Sequence, residues 1–214
     1  MKLGVVACES LQLEIDHLVQ GDLDVVFLEY LPYKLHEKPD ELKEEVKAHV
    51  NNLYGKVDSV FLGYAWCRSL KGVTSELKVP TAMIETDDCI SALLTPAIYI
   101  TERRKCAGTY YATPYLSRNN ILERYYDKFT SEVDTESIAD VGPEWFVKQY
   151  FDGYNRCLYV HLGLENQSEC EANSKKFANH FGWKYETIQG CLDILEASFR
   201  KAKDLAAYSN ETYQ

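Results

Sequence analysis

The first 96 residues of the chain alternate between short apolar runs and amphipathic stretches. The apolar runs, which predict β-strands, lie at residues 3–7, 24–30, 57–63 and 79–85. Between the runs, apolar residues recur at helical spacing, and Leu42, Val46, Val50 and Leu53 share one face of a predicted helix. Strands that alternate with helical crossovers favour a parallel sheet with right-handed connections.

The rest of the chain follows a different pattern. Residues 97–150 are rich in tyrosine and mainly helical in spacing, interrupted by the short extended segment GTYYATP and by an acidic stretch with helix breakers at 131–144. Alternation of strands and helices then returns. The predicted strands are 157–163 and 183–188, and the predicted helices are 165–181 and 192–206.

These patterns predict an α/β fold: a Rossmann-like parallel sheet flanked by helices, a helical tyrosine-rich middle segment, and a second, smaller βαβα portion. The expected divisions are an α/β domain over residues 1–116, a helical segment over 117–150 and a βαβα portion over 151–214. A chain of 214 residues, 46% of them hydrophobic, suits packing of all three into one globular unit.

The net charge and the cysteine content limit the kinds of partner and the cellular compartment that we expect. A net charge of -10 and a pI near 5.0 count against nucleic acid or an anionic membrane as the main partner. The first residues lack the apolar core of an export signal, and no apolar run approaches the roughly 20 residues of a membrane helix. We therefore expect a cytoplasmic protein, whose 7 cysteines are reduced thiols and not a disulfide framework.

Three cysteines directly follow predicted strands: Cys8 ends LGVVAC, Cys67 ends DSVFLGYAWC and Cys89 ends PTAMIETDDC. Because the carboxyl ends of parallel strands meet at one edge of a sheet, we expect the three sulfurs to lie close together. Three thiolates can bind zinc or an iron–sulfur cluster and leave one coordination position open. The alternative is that each cysteine is a small buried hydrophobe at the end of a strand.

Other polar residues are candidates for acid–base chemistry or binding. Asp88 is interpreted either as a general base or as a helix N-cap. His36 lies in the loop after the second strand, as an acid–base candidate or as an exposed histidine without a role. In GTYYATP, Tyr110 is a candidate catalytic hydroxyl, and Thr109 and Thr113 are candidates for binding a cofactor; the alternative is an aromatic core with a polar tip.

Five short motifs follow one another along the chain: VVACESLQLEI, LHEKP, LGYAWC, DDCISALL and GTYYATP. In this order they resemble a bacterial and archaeal family, the domain of unknown function numbered 1638, over nearly the whole chain. The resemblance places all three strand-end cysteines inside recurring motifs, and it adds Gly63 and Tyr64 as candidates for cofactor binding. The chain departs from the family pattern at Asp87, where the family usually has histidine, and at Tyr115 and Leu116, where it usually has glycine and tryptophan.

The resemblance also implies a metabolic setting, because members of the family look like proteins of anaerobes encoded beside corrinoid-dependent methyltransferase systems. It implies a metal-dependent enzyme, a lyase or a methyltransferase, with a [4Fe-4S] cluster preferred over zinc. The expected partners are a small-molecule substrate or a corrinoid methyltransferase system, and a second copy of the chain. Two alternatives stay open: an accessory protein that binds a metal or cofactor without catalysis, and a scaffold with structural cysteines.

Overall fold

The computed structural model describes residues 1–132, 142–164 and 167–211. Residues 133–141 of the predicted acidic stretch, and the predicted start of a helix at residue 165, therefore lie outside the description. The chain forms two compact units. One comprises Met1–Tyr99 together with the segment that begins at Gly190, and the other comprises Ile100–Gln189.

Each unit contains a parallel sheet, so the predicted α/β fold is confirmed. The first unit has four strands in the order β2-β1-β3-β4, and the second has three strands in the order β5-β6-β7. The strands are β1 (Leu3–Cys8), β2 (Val25–Leu31), β3 (Ser59–Gly63), β4 (Thr81–Met83), β5 (Thr109–Ala112), β6 (Arg156–His161) and β7 (Lys184–Gln189).

Helices connect the strands, and no helix in the described ranges is long and apolar enough to span a membrane. The second of them begins at Pro39, which suits the first turn of a helix because its missing N–H would have no partner there. The helices are α1 (Gln12–Val19), α2 (Pro39–Asn51), α3 (Cys89–Leu94), α4 (Pro96–Lys105), α5 (Pro114–Ser117), α6 (Ile121–Glu132), α7 (Gly142–Tyr150), α8 (Gln167–Phe181) and α9 (Asp193–Glu211).

Strands β1 and β3 form the buried centre of the first sheet. Every residue of both strands is buried, which explains why they are continuous apolar runs with no alternation. Helix α2 packs on one face through Leu42, Val46 and Val50, as the helical spacing predicts. On the opposite face, Phe61 of β3 contacts Phe199 of α9, with ring centroids 5.5 Å apart.

The order of the strands creates a switch point in the first sheet. Strand β1 pairs in parallel with β2 on one side and with β3 on the other. The chain therefore adds β2 first, returns across β1 and adds β3 and β4. Open α/β sheets bind ligands at the carboxyl ends of the strands where this reversal occurs.

The second unit has an aromatic core. The rings of Tyr110, Phe151, Phe177 and Trp183 pack together, and the centroids of Phe151 and Trp183 are 5.4 Å apart. At the start of β6, the buried guanidinium of Arg156 lies 2.8 Å from a carboxylate oxygen of Glu102 on α4. This pairing neutralises the one cation that the unit buries among the residues that the structure describes.

The structure differs from the expected divisions after residues 116 and 150. The segment GTYYATP is extended and lies between helices, as expected, but its strand β5 pairs with β6 in the second sheet and so belongs to the second unit. The last helix, α9, packs on β3 and β4 of the first sheet. The reason is that hydrophobic spacing identifies a strand or a helix but does not specify the sheet to which it belongs.

Glu14 of α1 is a buried acid. Its side chain has no exposed surface, and neither carboxylate oxygen has a hydrogen-bond partner. Burial raises its pKa from 4.5 to about 7, and the charge of Asp16 adds to the rise. The folded protein therefore favours the protonated form of Glu14.

The free energy of unfolding of the wild type should fall as the pH rises, and we expect Glu14→Gln to abolish this fall. The pKa of Glu14 is about 7 in the folded state and 4.5 in the unfolded chain. The favourable contribution of protonated Glu14 to folding is therefore complete below pH 4.5 and is lost as the pH rises through 7. The loss amounts to about 3 kcal/mol. Urea unfolding at a series of pH values measures it, and the exposed Glu196→Gln is the control. An equal decline in wild type and Glu14→Gln would contradict this assignment.

Candidate functional site

Three thiols meet at the carboxyl edge of the first sheet. Cys8 is the last residue of β1, Cys67 follows the end of β3, and Cys89 is the first residue of α3, which comes after β4. All are free thiols. Burial is the main cause that raises the pKa of Cys89, and the nearby charges of Cys67 and Cys8 raise it further. The structure thus brings together the cysteines that follow three different strands.

The backbone around Cys67 has an unusual conformation. Cys67 and Arg68 have φ angles of 43° and 69°, in the left-handed region that side chains other than glycine disfavour by about 1–2 kcal/mol each. The N–H groups of Trp66 and Cys67 donate to the carbonyl oxygens of Thr86 at 2.9 Å and Asp87 at 3.1 Å. These bonds join the loop after β3 to the loop after β4 and hold Cys67 near Cys89.

Two buried hydroxyl groups surround the Cys8 thiol. The Ser10 hydroxyl donates a hydrogen bond to Cys8 Sγ at 3.1 Å. Tyr64 is 1% exposed, and its hydroxyl lies close enough to Cys8 to lower the pKa of the thiol. The geometry of this contact falls short of a hydrogen bond. Ser10 was not identified from the sequence. The signal was available, because a serine two residues after a strand-end cysteine can return to its sulfur once a turn begins.

Burial keeps all three thiols protonated at neutral pH. It raises the pKa of Cys67 to about 12, and the charges of Cys8 and Asp88 contribute. It also raises the pKa of Cys8, where the hydrogen bonds from Ser10 offset part of the rise. A bound metal cation has the opposite effect, since it deprotonates the thiols that coordinate it.

Of the two interpretations of Asp88, the structure shows the helix cap. One carboxylate oxygen accepts the N–H of Ser91 at 2.8 Å, and the other accepts the hydroxyl of Tyr99 at 2.7 Å. Both oxygens are therefore engaged in the start of α3. Asp88 still acts on the thiols through its charge, which contributes to the raised pKa of Cys67 after burial and Cys8.

His36 lies in a short 3-10 turn after β2 and is exposed. Its Nδ1 forms a hydrogen bond with the carbonyl oxygen of Tyr33. The ring centroids of His36 and Tyr33 are 4.3 Å apart. The N–H of Tyr33 donates to the carboxylate of Glu9 at 3.0 Å, which ties this turn to the residue after Cys8. His36 thus lies at the carboxyl edge, on a turn connected to the end of β1.

Gly63 has a packing role. A Cβ atom at this position would lie 2.5 Å from Ala7 Cβ and 2.5 Å from Ile15 Cδ1. The absence of a side chain therefore lets α1 approach the centre of the sheet at β1 and β3. Tyr64, the next residue, points its ring into the hydrophobic core that includes Cys8 and Val6.

Tyr110 lies in the second unit, where its ring is part of the aromatic core. It is 7% exposed, and its centroid lies 5.1 Å from that of Phe177 and 5.9 Å from that of Phe151. Its hydroxyl oxygen lies 3.4 Å from Nη2 of Arg124. The structure therefore shows the aromatic core with a polar tip, which was the alternative to a catalytic hydroxyl.

Thr109 and Thr113 also lie in the second unit, with structural partners. The hydroxyl of Thr109 donates to the carbonyl oxygen of Cys106 at 2.7 Å and accepts from Nε of Arg156 at 2.9 Å. The hydroxyl of Thr113 accepts the N–H of Leu116 at 3.4 Å and caps α5. These contacts explain both threonines without a bound cofactor.

The donor set at the carboxyl edge suits a soft metal. It consists of three thiols, and the neighbouring carboxyl group of Asp88 is occupied by hydrogen bonds. As the side chains of the described residues are placed, no group of three or more histidine, cysteine or acidic side chains is arranged to hold a metal ion. The donor atoms are of the type that binds a soft metal.

The fold and the edge define a class: a parallel α/β protein with a thiol cluster at its switch point. A family model described as a protein of unknown function (DUF1638) matches residues 30–199. The match covers well over half of the chain, so the chain belongs to this family. Neither the curated proteins nor the solved structures compared with the chain gave a match. The family description names no reaction.

We expect Arg68→Gly to stabilise the protein by about 1 kcal/mol, because glycine adopts the left-handed conformation at φ 69° without a Cβ clash. Urea unfolding measures the change. The control is Arg68→Ala, which removes the same exposed side chain but keeps the Cβ atom. Its free energy of unfolding should lie within about 0.5 kcal/mol of the wild-type value. Equal stability of the glycine and alanine variants would contradict backbone strain at this turn.

Proposed function

We propose that the protein is a metal-dependent enzyme whose metal centre is bound by Cys8, Cys67 and Cys89. The observation that carries the proposal is the meeting of three thiols, from the ends of three strands, at the switch point of a parallel sheet. Ligands bind to open α/β sheets at this position. The resemblance to family members from anaerobes, given above, favours a [4Fe-4S] cluster over zinc.

Two features of the thiols support a metal centre over purely structural cysteines. First, Cys67 lies on a strained turn, and strained backbone persists where the surrounding structure enforces it, as it does at functional sites. Second, the hydroxyl of Ser10 donates to the buried sulfur of Cys8, as donors do around metal-bound thiolates. A cysteine that only fills space in a core needs neither feature.

Three protein thiolates would leave one coordination position on a bound metal, which would supply Lewis-acid activation of a substrate in a lyase or methyl-transfer reaction. The chain itself would bind and orient a small molecule at the carboxyl edge. Cys67 is partly exposed and Cys8 is buried, so we propose that substrate approaches from the side of Cys67. The exposed His36 is the acid–base candidate on that edge. Free thiols support a reducing, cytoplasmic location.

The second candidate function is an accessory protein that binds a metal or a cofactor for a corrinoid methyltransferase system. A specific observation favours it: Asp88 and Tyr110, two of the three acid–base candidates, have structural roles. The same three thiols would serve such a carrier. Association of two copies of the chain also remains a proposal.

We expect protein purified without oxygen to contain either iron and sulfide or zinc, and we expect binding of this metal to require Cys67. Cys67→Ala should lose most of the metal, because two thiolates bind far more weakly than three. Metal and sulfide analysis with a visible spectrum measures the loss. Cys106→Ala, which removes a partly exposed thiol of the second unit, is the matched control and should keep the metal.

Colour with stoichiometric iron and sulfide would support the cluster, and stoichiometric zinc without colour would support the zinc site. A folded, metal-free wild type, prepared with iron, sulfide and zinc all supplied, would contradict the proposal. Equal metal loss in Cys67→Ala and Cys106→Ala would contradict the assignment of the ligands.

A further inference from the structure

Among the residues that the structure describes, β2 is the one strand with large exposed apolar side chains. It forms an end of the first sheet, beside β1. Val26 is 54% exposed and Leu28 is 39% exposed. Alternate N–H and C=O groups of an edge strand point away from the sheet and can pair with another strand. β2 therefore offers both backbone hydrogen bonds and apolar surface to a further strand.

The other edge strands have features that discourage such pairing. β4 has 3 residues and β5 has 4, and their side chains are buried or half-buried. β7 carries Lys184 and Glu186, which form an ion pair at 2.7 Å. Short strands and charged side chains are devices by which natural proteins protect the edges of sheets. β2 has 7 residues, and Glu29 is the only charged one.

The side chains of β2 alternate between two faces of the sheet. Phe27 packs in the core that includes α2, and Glu29 lies 2.8 Å from a histidine of α2. Tyr30 points to the opposite face, where its hydroxyl donates to Asp16 of α1 at 2.6 Å. The register of β2 with β1 is continuous from Phe27 onward, so Leu28 shares the face of Tyr30. This face of the edge therefore presents uncharged side chains.

The charges at the two ends of β2 favour a second copy of the chain in antiparallel orientation. Asp22 and Asp24 precede the strand and share one cation, Lys203, whose Nζ lies 2.6 Å and 3.3 Å from their carboxylates. The exposed Lys34 lies in the 3-10 turn that follows the strand. Antiparallel pairing of two identical strands brings the acidic start of each near the lysine that follows the other. A twofold axis also closes the assembly at two copies.

We propose that two copies of the chain associate through antiparallel pairing of β2 with β2 about a twofold axis at Leu28, so that two four-stranded sheets form one continuous sheet. Leu28 is the middle residue of Val25–Leu31, and this register pairs the whole strand with itself. It places Glu29 opposite the partner's Phe27, whereas an axis at Glu29 would oppose two like charges, which is destabilising. The proposal gives the association of two copies a defined surface and does not depend on the metal centre.

The first test measures the mass of the full chain in solution by size-exclusion chromatography with light scattering. Wild type should have twice the 24.6 kDa of one chain. Leu28→Lys should be monomeric, because it opposes two positive charges at the axis. The matched control is Ile98→Lys, which changes an aliphatic side chain of α4 with a similar exposure of 41% and should stay dimeric. A monomeric wild type would overturn the proposal and leave the edge to a strand of a different protein, and a dimeric Leu28→Lys would also overturn it.

Cross-linking tests the register, and it decides the outcome if Leu28→Lys does not fold. At the axis, the Cα atoms of the two copies of residue 28 would lie about 4.5–5.5 Å apart, within the range of a disulfide. Leu28→Cys, oxidised with glutathione disulfide, should therefore form a covalent dimer.

The control for cross-linking is Val26→Cys, a more exposed position on the same strand. Its two copies would lie about 13 Å apart along the strand, so it should cross-link no faster than wild type, whose native thiols set the background. Equal cross-linking at the two positions, or none above background in Leu28→Cys, would overturn the proposed pairing. Neither test measures metal, so either result leaves the proposed metal centre to be judged by its own experiment.

Discussion

The parallel pairing of β1 with β2 on one side and β3 on the other is the constraint on which the candidate site depends. It aligns the carboxyl ends of these strands at one edge, and β4 extends the alignment. Close approach of α1 to this centre is possible because Gly63 has no side chain, which leaves room for Ile15. The edge therefore receives the segments that carry the cysteines, and backbone bonds between the loops after β3 and β4 keep two of them together.

The first unit tolerates several unfavourable features around this edge. Three thiols lie near one another and are largely removed from water, two consecutive residues adopt left-handed conformations, and Glu14 is buried without a partner. Each feature costs stability in the state without a ligand, and the surrounding packed core has to offset the cost. A metal would relieve the first of them directly, since it pairs the thiolates with positive charge. This is the physical reason to connect the thiols with binding and not with packing alone.

The second unit has a different character. Its core is aromatic, its buried cation is paired with Glu102, and its threonines cap a helix or bond to neighbouring backbone and Arg156. The tyrosines and threonines of GTYYATP are explained by these contacts. The chemistry of this protein is concentrated, in our proposal, on the thiol edge of the first unit.

The sequence by itself determined the α/β class, the central strands, the apolar face of α2 and the placement of cysteines at strand ends, because each depends on local spacing and on the geometry of parallel strands. The tertiary structure alone decided which sheet β5 and α9 join, that Asp88 is a cap, and that Ser10 donates to the thiol of Cys8. These features depend on contacts between distant segments, or on the path of a turn. Hydrophobic periodicity records whether a residue is buried, and only the folded chain determines what it is buried against.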